Sequence, residues 1–369
     1  MLFKRRQFLQ TISSALASSS SAIFAQSSAP ATERQFAPAA GQWRTFDVTT
    51  RVNILKKTGK TKVWIPVPSL NNAWQKTLAN SHSSNGNTRM HKDSFEGALM
   101  LYSDFHASVE KPFVEITSRV LTQNRSFNEA ETFKPEYPNA LKHFLRSTSM
   151  IPTDGIVLAT ATEITQSAKT DVDKVRAIYD WVVVNAWREP KVKGCGEGDV
   201  QNMLTSGNLG GKCADINALF VGLCRAVGVP ARDVYGLRLG PSAFGYKELS
   251  GNPDRLQAAQ HCRAEVYLND RGWLAMDPAD VAKVMRQETS EWIRSSAHAV
   301  VEPVYKGLFG GWEGNWMGFN TAHDVMLPQF SRQRISFLMY PVAEDEEGRL
   351  DSYSPDDFQY RITSKEVLS

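Results

Sequence analysis

Cysteine is scarce in this chain of 369 residues: four, at positions 195, 213, 224 and 262. They are too few, and come too late in the sequence, to staple a small secreted scaffold. No CxxC occurs, and successive spacings of 18, 11 and 38 residues fit no zinc ribbon or finger. The seven histidines add no HxxxH or HxH, which argues against a structural metal. An excess of one charge is also missing. The formal +3 resides in Lys4, Arg5 and Arg6, and the rest of the chain balances its 39 acidic residues with as many basic ones. A neutral chain offers no basic stripe for a phosphate backbone, so nucleic acid is a poor partner, and no stable membrane anchor is expected. What is present, 42% hydrophobic and 22% charged residues, describes a globular chain with room for two domains, neither disordered nor a coiled coil.

Residues 4–10 read Lys-Arg-Arg-Gln-Phe-Leu-Gln, and a mildly apolar stretch follows from Thr11 to Phe24. This pattern is that of a twin-arginine export signal, and the Ser run at 18–21 would serve poorly in an amphipathic helix. Cleavage after Ala25 or within Ala29-Pro30-Ala31 would leave an Ala/Pro/Ser-rich, disordered lead-in. Residues 1–25 are therefore assigned to the signal and 26–42 to the lead-in; the export machinery is a partner and the periplasm the destination.

From Trp43 the sequence alternates large and polar residues with period two, and the runs 61–67, 98–102 and 112–121 are rich in β-branched and aromatic residues. Together they predict an antiparallel β-sandwich over 43–128, with a polar insertion at 76–93. A proline-bearing linker is placed at 129–152. Residues 153–369 then form the second domain with a C-terminal extension. Its first clear helix has Thr170 as N-cap, Asp173 as the capping-box acid, and a core stripe through Val175, Ile178, Tyr179 and Val182. Residues 194–211 read as a Gly-rich loop, and loops of that length in compact domains are often functional.

The chemistry gathers after that loop. Cys213 follows Gly210-Gly211-Lys212 and opens a helix with an apolar stripe through Ile216, Leu219, Phe220, Leu223 and Val227, ended by Gly228 and Pro230. Unpaired amides and the positive end of the helix dipole favour a thiolate there and could hold an oxyanion. A lone cysteine is more often a small buried hydrophobe, so a base has to be found. Residues 260–278 read as a hairpin whose first strand places His261, Arg263 and Glu265 on a polar face, opposite Cys262, Ala264 and Val266. Pairing parity decides whether Asp277 can meet His261. Two- or four-residue loops turn Asp277 away, whereas a three-residue loop, Asn269-Asp270-Arg271, with Gly272 at a positive φ sets it opposite Arg263, diagonal to His261.

These residues resemble the transglutaminase-like (papain-like) cysteine acyl-transfer superfamily in its exported bacterial branch. The likeness lies in Gly210-Gly211-Lys212-Cys213-Ala214-Asp215 with Arg225 to Arg232, and in Gln260-His261-Cys262-Arg263-Ala264-Glu265 with Gly272-Trp273 and Asp277-Pro278-Ala279-Asp280-Val281. It extends more loosely upstream to Trp43 and downstream through Trp312, His323 and Met339-Tyr340-Pro341. The resemblance implies an α+β fold, a papain-like core with the Cys helix packed on an antiparallel sheet behind the N-terminal sandwich. It also implies Cys213 as nucleophile, His261 as base and then acid, and Asp277 as orienter. No DxDxDG calcium loop is found, so calcium-activated crosslinking is not expected, and no cofactor or metal is implied.

Asp215 and Asn217 are expected to cap the helix, and Arg232 to form an internal ion pair. For a second oxyanion donor the upstream candidates are Asn208, Gln201 and Trp187. Trp312 and Trp316, in a Gly-rich stretch, could wall a substrate groove or pack at the core edge. The expected activity is that of an exported peptidase or amidase acting on a peptide or protein amide of the cell envelope. A transamidase is the second reading, and a non-catalytic envelope-binding module the third.

Overall fold

The computed structural model describes residues 34–126, 136, 138–331 and 334–367. The export signal at 1–25, residues 26–33 of the lead-in and residues 129–135 and 137 of the 129–152 linker lie outside the described residues. The described part of the lead-in is not the disordered stretch expected, because Phe36 is buried against Phe244 and Tyr246 and Arg34 meets Glu288 at 2.6 Å.

Alternating patterns generate the N-terminal sheets. In β1 (Arg44–Ile54) the residues Phe46, Val48, Val52 and Ile54 are buried while their neighbours are half-exposed, the period expected of a strand with one face on a core. β1 is flanked by β6 (Phe113–Thr122) and β14 (Phe358–Val367), and β3 (Gln75–Ser84) pairs with β6, giving the order β14-β1-β6-β3. The second sheet runs β13-β2-β5-β4, from Val342–Glu344, Thr61–Pro66, Leu99–Phe105 and Asn87–Lys92. β2 is buried on both faces: Val63 and Ile65 join the main core, and Trp64 joins a smaller cluster with Tyr102, Leu338 and Val342.

Two features differ from the sequence reading. The stretch read as a polar insertion contains β3 and β4, which join different sheets. Both are largely exposed edge strands, so Ser, Asn and Lys occupy positions where an apolar alternation would have revealed them. In addition, the sandwich is discontinuous in sequence. β14 pairs with β1 from Thr45↔Val367 to Ile54↔Phe358, and β13 pairs with β2, so the C-terminal segment completes both sheets. One unit spans Glu33–Ser369.

The second half builds helices around a third sheet. α1 (Pro138–Lys142) and α2 (Gly155–Ile164) precede α3 (Asp171–Asn185), whose capping box is formed by Thr170 and Asp173. The short parallel pair β7 (Trp187–Arg188) and β8 (Gly210–Gly211) brackets α4 (Val200–Ser206), a helix inside the stretch read wholly as loop. α5 (Cys213–Ala226) packs on the antiparallel sheet β11-β10-β9-β12, formed by Gly272–Met276, Gln260–Leu268, Ala231–Arg238 and Trp316–Asn320. α6 (Pro278–Gln287) and α7 (Glu302–Gly307) complete the layer.

α5 is buried on every side from Cys213 to Arg225, not along one stripe, because α2, α3, α4 and α6 enclose it against the sheet. A helix with apolar residues all round belongs in such a place. β10 is likewise buried on both faces. Its polar face is accommodated because its charges are paired: Glu265 lies between Arg125 and Arg232, and Arg263 has Nε 3.4 Å from an Asp277 carboxylate oxygen and donates to the Glu313 carbonyl at 3.0 Å.

Candidate active site

The Gly-rich loop is tied to the start of α5 by Asp215. Its Oδ1 accepts from Glu197 N and Gly198 N, each at 2.9 Å, and its Oδ2 accepts from Lys212 N at 2.9 Å. Gly196, at φ +89°, has no room for a side chain, since a Cβ there would lie 1.8 Å from the Asp215 carboxylate. The loop thereby brings Cys195 over the helix terminus, where Ala214 N donates to Cys195 O at 2.9 Å.

The hairpin has the register that the three-residue loop requires. Leu268 pairs with Gly272 and Ala264 with Met276, and Gly272 has φ +69°. Asp277, the next residue, is the N-cap of α6, with Oδ1 accepting from Asp280 N at 3.0 Å. Its Oδ2 accepts from His261 Nε2 at 2.8 Å. Asp277 is thus both a helix cap and the partner of the imidazole. With Nε2 engaged by the carboxylate, Nδ1 is the nitrogen left to act on the Cys213 thiol, which opens onto the same cleft as His261.

Three further residues belong to this cluster. Asp280 Oδ2 lies 3.3 Å from His261 Nε2, and its Oδ1 meets Arg238 Nη2 at 2.5 Å. Asn217, expected only to cap its helix, donates from Nδ2 to Cys262 O at 2.9 Å and to Asp277 Oδ1 at 3.3 Å, so it joins α5, β10 and the start of α6. The spacing Asp277-Pro278-Ala279-Asp280 was the available signal for the second acid, because an N-cap and its N3 residue lie on one side of a helix start. Arg238 comes from another strand, and nothing near it in sequence announces it.

The electrostatics follow from burial and these partners. Burial alone would push the Cys213 thiol up, but the neighbouring Cys195, Cys262 and His261 side chains, together with the imidazolium charge, hold it well below the usual thiol range. Burial would likewise lower His261, yet the Asp280 and Asp277 carboxylates outweigh it and raise the imidazole to about 10. The flanking thiols move the other way. Hydrogen bonding to Cys213 and burial push Cys195 well up, and burial followed by the Cys213 contact does the same to Cys262. All four cysteines are free thiols.

His261, Asp277 and Asp280 offer ligand atoms within 4.8 Å of one another, a spacing that would also suit a cation. Arg238 on Asp280 and Arg263 Nε, 3.4 Å from Asp277, already place positive charge on these acids. The donor set is thus matched to an imidazolium and two guanidiniums.

Cys213 and His261 open onto a cleft of about 170 Å³. None of the three oxyanion candidates lines it. Gln201 is exposed on α4, Asn208 is exposed with Oδ1 occupied by Gly210 N at 3.1 Å, and Trp187 packs over Gly210. Trp312 and Trp316 are each 1% exposed and stack with Trp74 and Arg263, so they form core and wall no groove. Trp316 does reach the site from behind, donating from Nε1 to His261 O at 2.9 Å. Arg232 is in the internal ion pair expected of it, with Glu265 at 2.6 Å.

The profile of the transglutaminase-like superfamily matches residues 158–278. An uncharacterized protein of Haemophilus influenzae is 35% identical over 327 residues, covering 84% of this chain and 87% of its own. The uncharacterized protein YebA of Bacillus subtilis is 24% identical over 243 residues, which cover 62% of this chain and 30% of YebA. Among solved structures, a candidate cysteine protease of Cytophaga hutchinsonii has the same fold, with a TM-score of 0.55 at 14% identity over 90% of this chain and 93% of that one. The match of the superfamily profile across the Cys helix and the His hairpin, joined to similarity with the Haemophilus protein over most of both chains, makes this chain a member of the transglutaminase-like superfamily of cysteine acyl-transfer proteins.

Proposed function

We propose that the protein is an exported cysteine peptidase or amidase that works through a thioester at Cys213. The observation that carries this reading is the His261 imidazole, held at Nε2 by Asp277 at 2.8 Å and sharing one cleft with Cys213, whose thiol is held well below its ordinary range. Such a pair rests as thiolate and imidazolium at neutral pH. The thiolate attacks the carbonyl carbon of an amide. The Cys213 amide, a first-turn N–H beside the thiol, is positioned to meet the developing oxyanion, whereas Ala214 N is already occupied by Cys195 O. His261 gives its proton to the leaving nitrogen as the C–N bond breaks. The neutral imidazole then takes a proton from water as the water oxygen attacks the thioester, and loss of the thiolate releases the acid and restores the ion pair.

Hydrolysis is favoured over transfer to an amine because an alkylammonium acceptor would have to enter a cleft lined by Arg188, Arg238, Arg255 and Lys283. A non-catalytic binding role is disfavoured by the intact trio of Cys213, His261 and Asp277. The twin-arginine pattern at residues 4–10 supports export to the periplasm, where cell-envelope peptides are the available amides. The test is to incubate the mature protein with a peptide-amide library, with and without a primary amine, and read products by mass. Free acids that disappear in Cys213→Ala support the hydrolase; amine adducts outnumbering acids would favour the transamidase. No product of either kind would favour the binding module.

A further inference from the structure

The cleft over Cys213 is lined by twelve residues, of which four, Arg188, Arg238, Arg255 and Lys283, carry permanent positive charge and none is acidic. Two of these charges are answered from behind. Arg238 meets Asp280, and Lys283 meets Glu248, with Nζ 3.3 Å from Oε2 and donating to Glu248 O at 2.6 Å. The other two are not. Arg188 is half-buried and donates from Nε to Gln287 Oε1 at 3.2 Å, and no ion pair among the described residues involves Arg188 or the exposed Arg255.

Like charges held together in a concave, partly dry site repel one another unless an anion joins them. The lysines at the edge register this crowding: after burial itself, repulsion from Arg238 lowers Lys283 and repulsion from Arg188 lowers Lys212. Guanidinium forks are suited to carboxylates, which they can bind through two parallel hydrogen bonds. At about 170 Å³ the cleft is smaller than the roughly 300–1,000 Å³ of a site for a drug-sized ligand, so it holds one residue and not an extended chain.

From this arrangement we infer that the substrate is an acidic peptide, with a free carboxylate on the residue joined to the scissile amide, seated between Arg188 and Arg255 in the cleft beside Cys213. The inference rests on the nucleophile reading above. It adds the charge and position of the group that confers specificity. Arg238 and Lys283, already paired, supply background potential, and the two unpaired arginines supply the contacts.

The first experiment needs no turnover. Rate constants for alkylation of Cys213 by iodoacetate and by iodoacetamide are measured by mass mapping and expressed as a ratio, with 2-mercaptoethanol in the same buffer as reference. The expected ratio exceeds that of the free thiol by about tenfold or more, declines with salt, and falls back in the Arg188→Gln, Arg255→Gln double variant. A ratio equal to that of the free thiol, or one indifferent to both substitutions, would overturn the inference while leaving the nucleophile in place. Inertness of Cys213 to both reagents would overturn the nucleophile reading and this inference with it. The second experiment compares kcat/KM for amides flanked by a glutamate side chain, by a terminal α-carboxylate, or by neutral glutamine amide. The faster acidic substrate identifies the source of the carboxylate, and a preference for the neutral one would contradict the proposal.

Discussion

The two ends of β10 bury charge in opposite ways. At residue 265 one carboxylate sits between two guanidiniums, Arg125 and Arg232. At residue 261 one imidazole sits between two carboxylates, those of Asp277 and Asp280. The first cluster is built from groups that stay charged at any ordinary pH. Burial would raise Glu265, but the Arg232 and Arg125 guanidiniums outweigh it and hold it below the usual carboxylate range. The second has a titratable group at its centre, and its acids keep a proton on His261 to about pH 10. Four residues apart on a strand are about 13 Å, so one strand carries a fixed ionic clamp and a proton-bearing site with little direct coupling. The comparison teaches that burial of charge is not itself the mark of a site; the protonatable partner is.

The largest effect that should separate the two ends comes from Asp277→Asn. Asn is as good an N-cap as Asp, so α6 and the fold should persist. An amide can fix the wrong tautomer and cannot stabilise an imidazolium, so turnover should drop by about 10³-fold or more in a protein that still folds, with some stability lost because the buried Arg263 gives up its carboxylate. Near-normal turnover would reduce Asp277 to a cap and erase the contrast.

At the other end, Glu265→Gln leaves Arg125 and Arg232 without their acid and should cost about 3–5 kcal/mol of stability by denaturant unfolding. Because the folded carboxyl is depressed, its contribution is present above the unfolded value of about 4.3 and is lost as pH falls through the folded one. The wild type should therefore lose this increment in acid, and the variant should not. Turnover of the folded variant should change far less than in Asp277→Asn; equal losses would show that the two ends are coupled after all.

A smaller effect is expected from Asp280→Asn. It removes the first of the two charges that raise His261, so the alkaline limb of the kcat/KM profile should move below about pH 10. An unmoved limb would mean that Asp277 alone sets the imidazole. Some loss of stability accompanies it, since Arg238, at 3% exposure, loses its partner.

The legible parts of this site were those governed by local rules. Cys213 at a helix start follows from Gly-Gly-Lys-Cys and the apolar run behind it, and Asp277 meets His261 because Gly272 takes the positive φ of a three-residue loop. What escaped depends on partners distant in sequence. Trp312 and Trp316 could be read as groove wall or as core edge, and only Trp74, distant in sequence, decides for core by covering them. Arg263 and Glu265 gave β10 a polar face that the fold buries, because Arg125, Arg232 and Glu313 reach it from other elements. The C-terminal strand Phe358–Val367 alternates as a strand should, yet nothing local says that it will pair with β1. Among the oxyanion candidates, Asn208 is spent on a turn, which composition alone could not reveal.

The central claim is that Cys213 and His261 rest as an ion pair oriented by Asp277. It is tested most directly by alkylating the native protein briefly with iodoacetamide over a pH series and mapping the label. The account predicts that Cys213 labels first of the four cysteines and stays reactive well below the pH at which an ordinary thiol, with a pKa of about 8.5, ionises. Earlier labelling of Cys195, Cys224 or Cys262, or a Cys213 that reacts only as the pH passes that ordinary value, would contradict it.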